Sequence, residues 1–111
     1  MDCIFCKIAS GIIPANIIYQ DDKIIAFDDI NPRAPQHKLI IPHKHIATMN
    51  DLIPEDRDLI GNMILVTQKL AREFKIDANG YRVLINCNRD GGQVVYHLHL
   101  HLLGGHPLSA L

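Results

Sequence analysis

The alternation of histidine and leucine over residues 97–101 constrains the fold more than any other feature of the chain. Successive side chains of a β-strand point to opposite faces of a sheet. As a strand, this segment places its histidines on one face and the intervening leucines on the other, toward a core. We therefore expect a half-buried strand whose open face carries His97, His99 and His101 in a row.

Composition and charge exclude several classes of protein. The chain has 111 residues, of which 48% are apolar and 21% charged, as is typical of globular proteins. This length predicts a single domain over residues 1–111. A formal net charge of −1 argues against a basic nucleic-acid surface. No apolar run reaches the roughly 18 residues of a membrane span, and the first residues lack a secretory pattern. We expect a cytoplasmic protein that binds neither nucleic acid nor membrane.

The coarse secondary structure predicts an α+β fold. A short helix is expected over residues 3–13. A long helix is expected over residues 54–74, where apolar residues recur at three- and four-residue spacing. Strands are predicted over residues 17–20, 23–28, 38–41, 81–86 and 94–103. This order favours a five-stranded antiparallel sheet with the long helix packed on one face. The predicted apolar face of that helix consists of Leu59, Ile60, Met63, Ile64, Thr67, Leu70, Ala71 and Phe74.

The histidine row is open to three interpretations: an incidental feature of a solvated face, a metal site, or a catalytic group. Histidines two apart on a strand lie about 7 Å apart and can share an ion, whereas His97 and His101 lie about 13 Å apart. One ion therefore does not readily take all three. A neutral imidazole attacks phosphorus when an acceptor holds one of its ring nitrogens. The spacing favours His99 as nucleophile, with His97 or His101 as proton donor.

The loop before the histidines is consistent with a phosphate substrate. Residues 90–93 read Asp-Gly-Gly-Gln. Glycines allow backbone N–H groups to approach phosphate oxygens closely. A tight turn without a ligand is the alternative interpretation of the same residues.

Together these residues resemble the histidine-triad (HIT) family, whose signature is His-φ-His-φ-His-φ-φ, where φ is apolar. The signature stands here at residues 97–103, and residues 90–97 look like the Hint branch, the purine nucleoside phosphoramidases. Further matches lie at residues 3–8, 26–32, 37–42 and 45–46. They follow the family's order over nearly the whole chain.

The resemblance implies a homodimer whose sheets join across the two-fold axis. It also implies hydrolysis of purine nucleoside 5′-phosphoramidates through a covalent nucleotidyl-histidine. His99 would be the nucleophile, and His37, His97 and His101 would orient it and move protons. The implied nucleotide-binding residues are Ile4, Phe5, Ile8, Phe27 and Ile30 for the base, Asp29 for the ribose, and Asn86, Gly92, Gln93, Val94, His99 and His101 around the phosphate.

One position departs from the pattern. Many members of the Hint branch carry a serine at the position of Val94, and its hydroxyl contacts the phosphate. Valine leaves only the backbone N–H for this contact. We expect the reaction to be retained, with altered affinity or leaving-group preference.

The Cys-x-x-Cys pair at Cys3 and Cys6 is expected to bind metal or act in redox chemistry, since cytosolic pairs of this kind seldom form disulfides. In members of the family that carry the pair, zinc is often held by both cysteines, the histidine at the position of His45, and the first triad histidine, here His97. The resemblance therefore implies a structural Zn²⁺ and no catalytic metal. Two buried free thiols are the alternative.

Two other functions remain open. A dinucleoside polyphosphate hydrolase would use the same histidines on a different leaving group. A zinc-stabilised nucleotide-binding module that acts through protein partners would not need a nucleophile.

Overall fold

The computed structural model describes residues 3–111, which form one five-stranded antiparallel sheet and two α-helices. The strands are β1 (Ile17–Gln20), β2 (Ile24–Asp28), β3 (Gln36–Pro42), β4 (Tyr81–Leu84) and β5 (Leu100–Gly104), and the helices are α1 (Ile4–Ala9) and α2 (Arg57–Glu73). The order across the sheet is β1-β2-β3-β5-β4, with every neighbouring pair antiparallel. The predicted fold class is confirmed.

The main core lies between α2 and one face of the sheet. Alternate residues of the central strands supply the sheet side, including Ile40, Leu100 and Leu102. All three are fully buried, and each such side chain stabilises the fold by about 1.5–3 kcal/mol relative to an exposed one. The predicted inward orientation of the leucines that alternate with the histidines is confirmed at Leu100 and Leu102.

The opposite face of the sheet is covered by α1. Phe5 and Ile8 of α1 pack with Phe27 and Leu39, which alternate with the residues that face α2. In the ladder between β3 and β5, Leu39 lies opposite His101. Residues directly opposite in a ladder share a face, so the histidine side of β5 faces α1.

The buried stripe of α2 differs slightly from the predicted one. Met63, Val66, Thr67, Leu70 and Ala71 are buried, as the helical period requires. Ile64 was predicted on the apolar face but is 46% exposed. It lies on the flank of the stripe, and Val66 takes the position that packs on the sheet. A 3₁₀ turn over Pro54–Asp56 precedes α2, within the predicted helix.

The last strand is shorter than predicted. It begins at Leu100, so residues 94–99 are not part of the ladder. After Ile40, the next residues of β3 do not continue the hydrogen-bonded ladder with β5. Pro42 has no N–H, and its carbonyl lies 2.8 Å from Nε2 of His97. The Leu98 N–H instead donates to the carbonyl of Ile46.

Smaller differences occur at other ends. The α1 helix stops at Ala9, before the predicted residue 13, because Gly11 adopts a left-handed φ of 81°. The strand predicted over 81–86 ends at Leu84, and β3 begins at Gln36, two residues before the predicted start at residue 38. Within residues 3–111, no helix combines the length and apolarity needed to cross a bilayer.

Candidate active site

A cavity of about 800 Å³ opens between α1, the segment after β2 and the histidine face of the sheet. Twelve of the predicted site residues line it: Ile4, Phe5, Ile8, Phe27, Asp29, Ile30, His37, Asn86, Gly92, Val94, His99 and His101. His97 and Gln93 lie outside the lining. The fold therefore brings most of the predicted site residues together around one cavity.

His99 lies at the floor of the cavity, with 7% of its surface exposed. Its Nδ1 lies 2.7 Å from the carbonyl oxygen of His97. A carbonyl only accepts, so Nδ1 carries the proton and donates, which leaves the lone pair on Nε2. Within residues 3–111, every fully buried side-chain nitrogen or oxygen has a hydrogen-bond partner. The His99 ring is bonded through Nδ1 and not through Nε2. Nε2 is therefore not fully buried and reaches the cavity with its lone pair available.

His37 and His101 form a chain of hydrogen bonds beside His99. The backbone N–H of Arg33 donates to Nδ1 of His37, at 3.0 Å. The ring proton of neutral His37 is therefore on Nε2, which lies 2.9 Å from Nδ1 of His101. His101 accepts this bond, and its own proton is on Nε2. The chain thus gives His101 an N–H suited to donating a proton to a leaving group.

Burial keeps these imidazoles neutral. Burial lowers the pKa of His37, His99 and His101. For His101, burial together with the neighbouring His99 and His37 brings the pKa to about 4. A nucleophilic imidazole must be unprotonated, so the cavity supplies the required form at neutral pH.

The lowered pKa of His101 predicts a stability that falls in acid. The unfolded chain takes up this proton near pH 6.5, whereas the folded chain takes it up only near pH 4. Stability is therefore complete above about pH 6.5 and is lost as the pH falls toward 4, by at most about 1.4 kcal/mol per pH unit for one proton. Urea unfolding at several pH values measures this. His101→Asn should show a shallower slope than the wild type, and His106→Asn, at an exposed site, should not. Equal slopes in all three proteins would contradict the assignment.

His97 turns away from the cavity and joins a cluster with Cys3, Cys6 and His45. Its Nδ1 lies 3.2 Å from Sγ of Cys3, 3.4 Å from Sγ of Cys6 and 3.2 Å from Nδ1 of His45. Sγ of Cys6 lies 3.3 Å from the same atom of His45. One ring nitrogen cannot form hydrogen bonds with three partners at once. Four ligand atoms that surround a shared cation, in contrast, lie at such distances from one another.

The donor set fits a tetrahedral zinc. Bonds of about 2.0–2.1 Å to nitrogen and 2.3 Å to sulfur place neighbouring ligands about 3.3–3.8 Å apart, close to the separations observed. Nε2 of His97 donates to the Pro42 carbonyl, which leaves the Nδ1 lone pair for a metal. Without a cation, burial and the adjoining Cys3 raise the pKa of Cys6 to about 11, so metal binding must release its proton.

A second set of possible ligands lies in the cavity, and it suits a metal less well. Asp29, His37 and His101 bring three ligand atoms within 4.8 Å of one another. However, the Arg33 N–H directed at Nδ1 of His37 keeps the ring proton on Nε2. A protonated ring nitrogen has no lone pair for a cation. We therefore interpret this set as a hydrogen-bonded chain, in which Oδ2 of Asp29 lies 3.4 Å from Nε2 of His37.

The side chain of Gln93 holds its own loop. Its amide nitrogen donates to the carbonyls of Ala47 and Val95, and its amide oxygen accepts from the N–H of Asn88. The side chain is buried, so its polar atoms are directed into the loop. The predicted contact of Gln93 with phosphate stays a prediction.

Several residues that line the cavity were not among the predicted site residues. The remaining lining residues include Asn16, Asp28, Arg33, Leu39 and Val95. Arg33 acts through its backbone N–H, which no residue pattern reveals. Asn16 pairs with the Asp28 carboxylate. The only signal for Arg33 was the pair of prolines flanking it, which predicts a shaped loop.

Apolar rings form the inner wall of the cavity. Phe5 packs edge-on against Phe27, with ring centroids 5.4 Å apart, and against His99, at 5.1 Å. Leu39 and Ile8 complete this wall. The cavity thus combines an apolar wall with reactive imidazoles, as small-molecule sites commonly do.

A family model described as the HIT domain matches residues 10–108. The chain belongs to the HIT family. The resemblance stated from the sequence is thereby confirmed, and the remaining comparisons agree with it over almost the full length of the chain.

Relatives of this HIT chain include an enzyme and two solved structures. It is 50% identical to the purine nucleoside phosphoramidase of Escherichia coli (strain K12), over 99% of this chain and 92% of that protein. A HIT family hydrolase from Legionella pneumophila Philadelphia 1 is 51% identical, with a TM-score of 0.96, over 97% of this chain and 96% of the other. A histidine triad protein from Clostridium difficile is 46% identical, with a TM-score of 0.97, over 100% and 96%. The name of the first solved structure agrees with the prediction of an enzyme.

Proposed function

We propose that the chain is a hydrolase that cleaves the P–N bond of purine nucleoside 5′-phosphoramidates. Nε2 of His99 attacks the α-phosphorus and forms a P–N bond to the enzyme, while the bond to the amine breaks. The amine leaves with the proton of His101 Nε2. Water then attacks the same phosphorus, gives one proton to Nε2 of His101, breaks the bond to His99, and releases the nucleoside monophosphate.

The observation that carries this proposal is the orientation of the His99 ring. Its Nδ1 is occupied by the carbonyl of His97 at 2.7 Å, and its other nitrogen is the one that can react. His101 lies beside it, with ring centroids 4.9 Å apart. A nucleophile next to a proton donor at the floor of a cavity is the arrangement that covalent nucleotidyl transfer requires.

The shape and polarity of the cavity support a nucleotide substrate. A volume of about 800 Å³ is within the range of small-molecule sites. The wall of Phe5, Phe27 and Ile8 suits a planar base. We assign the ribose hydroxyls to Asp29, which is partly exposed at the rim, and the phosphate to Asn86, Gly92 and the Val94 N–H. The phosphoramidase named among the relatives supports the same substrate class.

We assign Zn²⁺ to the cluster of Cys3, Cys6, His45 and His97, in a structural role. All four ligand atoms lie within 4.8 Å of one another, and two cysteines with two histidines form a closed set without a position for substrate. When bound, the ion links α1 to the segment that leads into β5. His97 therefore supports catalysis by position, through the carbonyl that holds His99.

The functional unit we propose is a homodimer of single-domain subunits. The edge strand β4 and the outer face of α2 carry exposed apolar side chains, with Tyr81 38%, Ile64 46% and Leu65 59% exposed. An unpaired edge next to an apolar face is suited to joining two sheets across a two-fold axis.

Side-by-side kinetics test the proposed reaction. We expect purified protein to release AMP from an AMP amidate with a kcat/KM at least about 100-fold higher than from diadenosine polyphosphates. Faster cleavage of the polyphosphates would favour the other hydrolase. Tight AMP binding without turnover of either substrate would favour a binding module.

A further inference from the structure

Val94 occupies an unusual position at the rim of the cavity. The residue is 87% exposed, yet it lines the cavity together with Gly92 and Val95. An apolar side chain gains free energy only when another group covers it. A polar residue would be ordinary at such a rim, so the residue is suited to contact with an apolar part of a ligand.

The loop that carries Val94 is held firmly. Gln93, immediately before it, makes three side-chain hydrogen bonds, to the backbone of Asn88, Ala47 and Val95. Val95, immediately after it, packs against the cluster that contains Phe5 and Phe27. Anchoring on both sides fixes the backbone of Val94 relative to the cavity.

The direction of the reaction places the leaving group near this rim. His99 is at the floor and 7% exposed, so it must approach phosphorus from below. In phosphoryl transfer the attacking and leaving atoms lie roughly in line with phosphorus. The amine therefore leaves on the side of phosphorus away from His99, and the substituent that it carries extends toward the open mouth, where the rim residues Val94 and Ile30 are 87% and 91% exposed.

We propose that Val94 is a specificity-determining residue that selects phosphoramidates whose leaving amine carries an apolar group close to nitrogen. This inference rests on the proposed function and names the substrate class of the same site. The amine packs on the valine methyl groups at the rim and loses that contact when it is small or polar. Contact with part of one valine side chain corresponds to a preference of about fivefold.

Two amidates and three proteins test the proposal. The substrates are the AMP amidates of 2-phenylethylamine and of ethanolamine, amines of similar basicity. The proteins are the wild type, Val94→Thr, which keeps the shape but replaces a methyl by a hydroxyl, and Ile12→Thr, at a 72% exposed site outside the cavity lining. The measured quantity is the ratio of kcat/KM for the two amidates.

We expect the wild type and Ile12→Thr to prefer the phenylethyl amidate by about fivefold, and Val94→Thr to bring the ratio close to 1. A ratio that is unchanged in Val94→Thr would overturn the proposal. So would a wild-type ratio of 1 or below. A melting temperature of each variant close to that of the wild type shows that the comparison is between folded proteins.

Binding to an inactive background separates this inference from the proposed reaction. In His99→Ala, calorimetry gives the Kd of each uncleaved amidate, with and without Val94→Thr. We expect tighter binding of the phenylethyl amidate that depends on Val94. If the wild type cleaves neither amidate, the proposed function is wrong, while this Kd ratio still decides the role of Val94. Equal Kd values for the two amidates would overturn that role.

Discussion

Replacing His99 by asparagine should lower kcat/KM for an AMP amidate by about 10⁴-fold or more, because the variant loses its nucleophile. Asparagine can still donate to the carbonyl of His97, which accepts the Nδ1 proton of His99 in the wild type. The variant should therefore keep its fold and its affinity for AMP. Steady-state kinetics with calorimetric binding of AMP measure the two effects separately.

The same substitution should abolish a covalent adduct. Quenching the wild type during turnover with an alkaline denaturant, in which a P–N bond to histidine is stable, should give a chain heavier by one nucleotidyl group, with the added mass on the peptide that contains His99. His99→Asn should give none. A matched control is His106→Asn, at an exposed histidine outside the cavity lining, which should behave as the wild type does. An adduct on another residue, or more than a few per cent of wild-type activity in His99→Asn, would refute the assignment of the nucleophile.

Removal of the metal should produce the largest change in stability. We expect purified protein to contain about one zinc per chain, and a strong chelator to lower its Tm by about 10 °C or more, since about 3 kcal/mol of binding free energy is lost. The cluster ties Cys3, at the N-cap of α1, to the fully buried His97. Elemental analysis and thermal unfolding before and after chelation measure the effect.

Cysteine variants distinguish metal binding from other roles of Cys3 and Cys6. Cys3→Ser and Cys6→Ser should each lose zinc and lower the Tm, and chelator should then have no further effect. Cys87→Ser, at a half-buried cysteine outside the cluster, should keep both zinc and Tm. Zinc affinity should also fall in acid, because a raised pKa near 11 means that Cys6 must release a proton to bind. Metal-free protein with unchanged stability would show that the two cysteines do not hold a structural metal.

Residues with a strict period were the most predictable part of this molecule. The alternation over 97–101 predicted that leucines face a core and histidines the opposite side, and Leu100 and Leu102 pack on α2 accordingly. The three- and four-residue period predicted α2. The periodicity of apolar residues predicts these elements because the residues on the buried side of a strand or helix recur at the repeat of that strand or helix.

The ends of elements and the backbone contributions were less predictable. Histidine and leucine alternate over residues 97–102, and a strand was predicted over 94–103, yet the ladder begins only at Leu100. The Pro42 carbonyl is used by the side chain of His97, and nothing in a single strand's pattern shows what its partner offers. The Arg33 N–H that orients His37 is equally invisible in the residue types, and the predicted phosphate role of Gln93 competes with a network of loop hydrogen bonds.

Core-facing leucines and cavity-facing histidines share one short run of the chain, and this limits which sequence changes the run tolerates. The register of β5 puts Leu100 and Leu102 under α2 and His101 on the side of α1, so a one-residue shift of this strand would exchange the two faces. That event would expose apolar surface and bury the reactive rings in one step. Insertions and deletions in this run are therefore costly, whereas substitutions at the exposed rim residues Val94 and Ile30 change the mouth of the cavity at little cost in folding free energy.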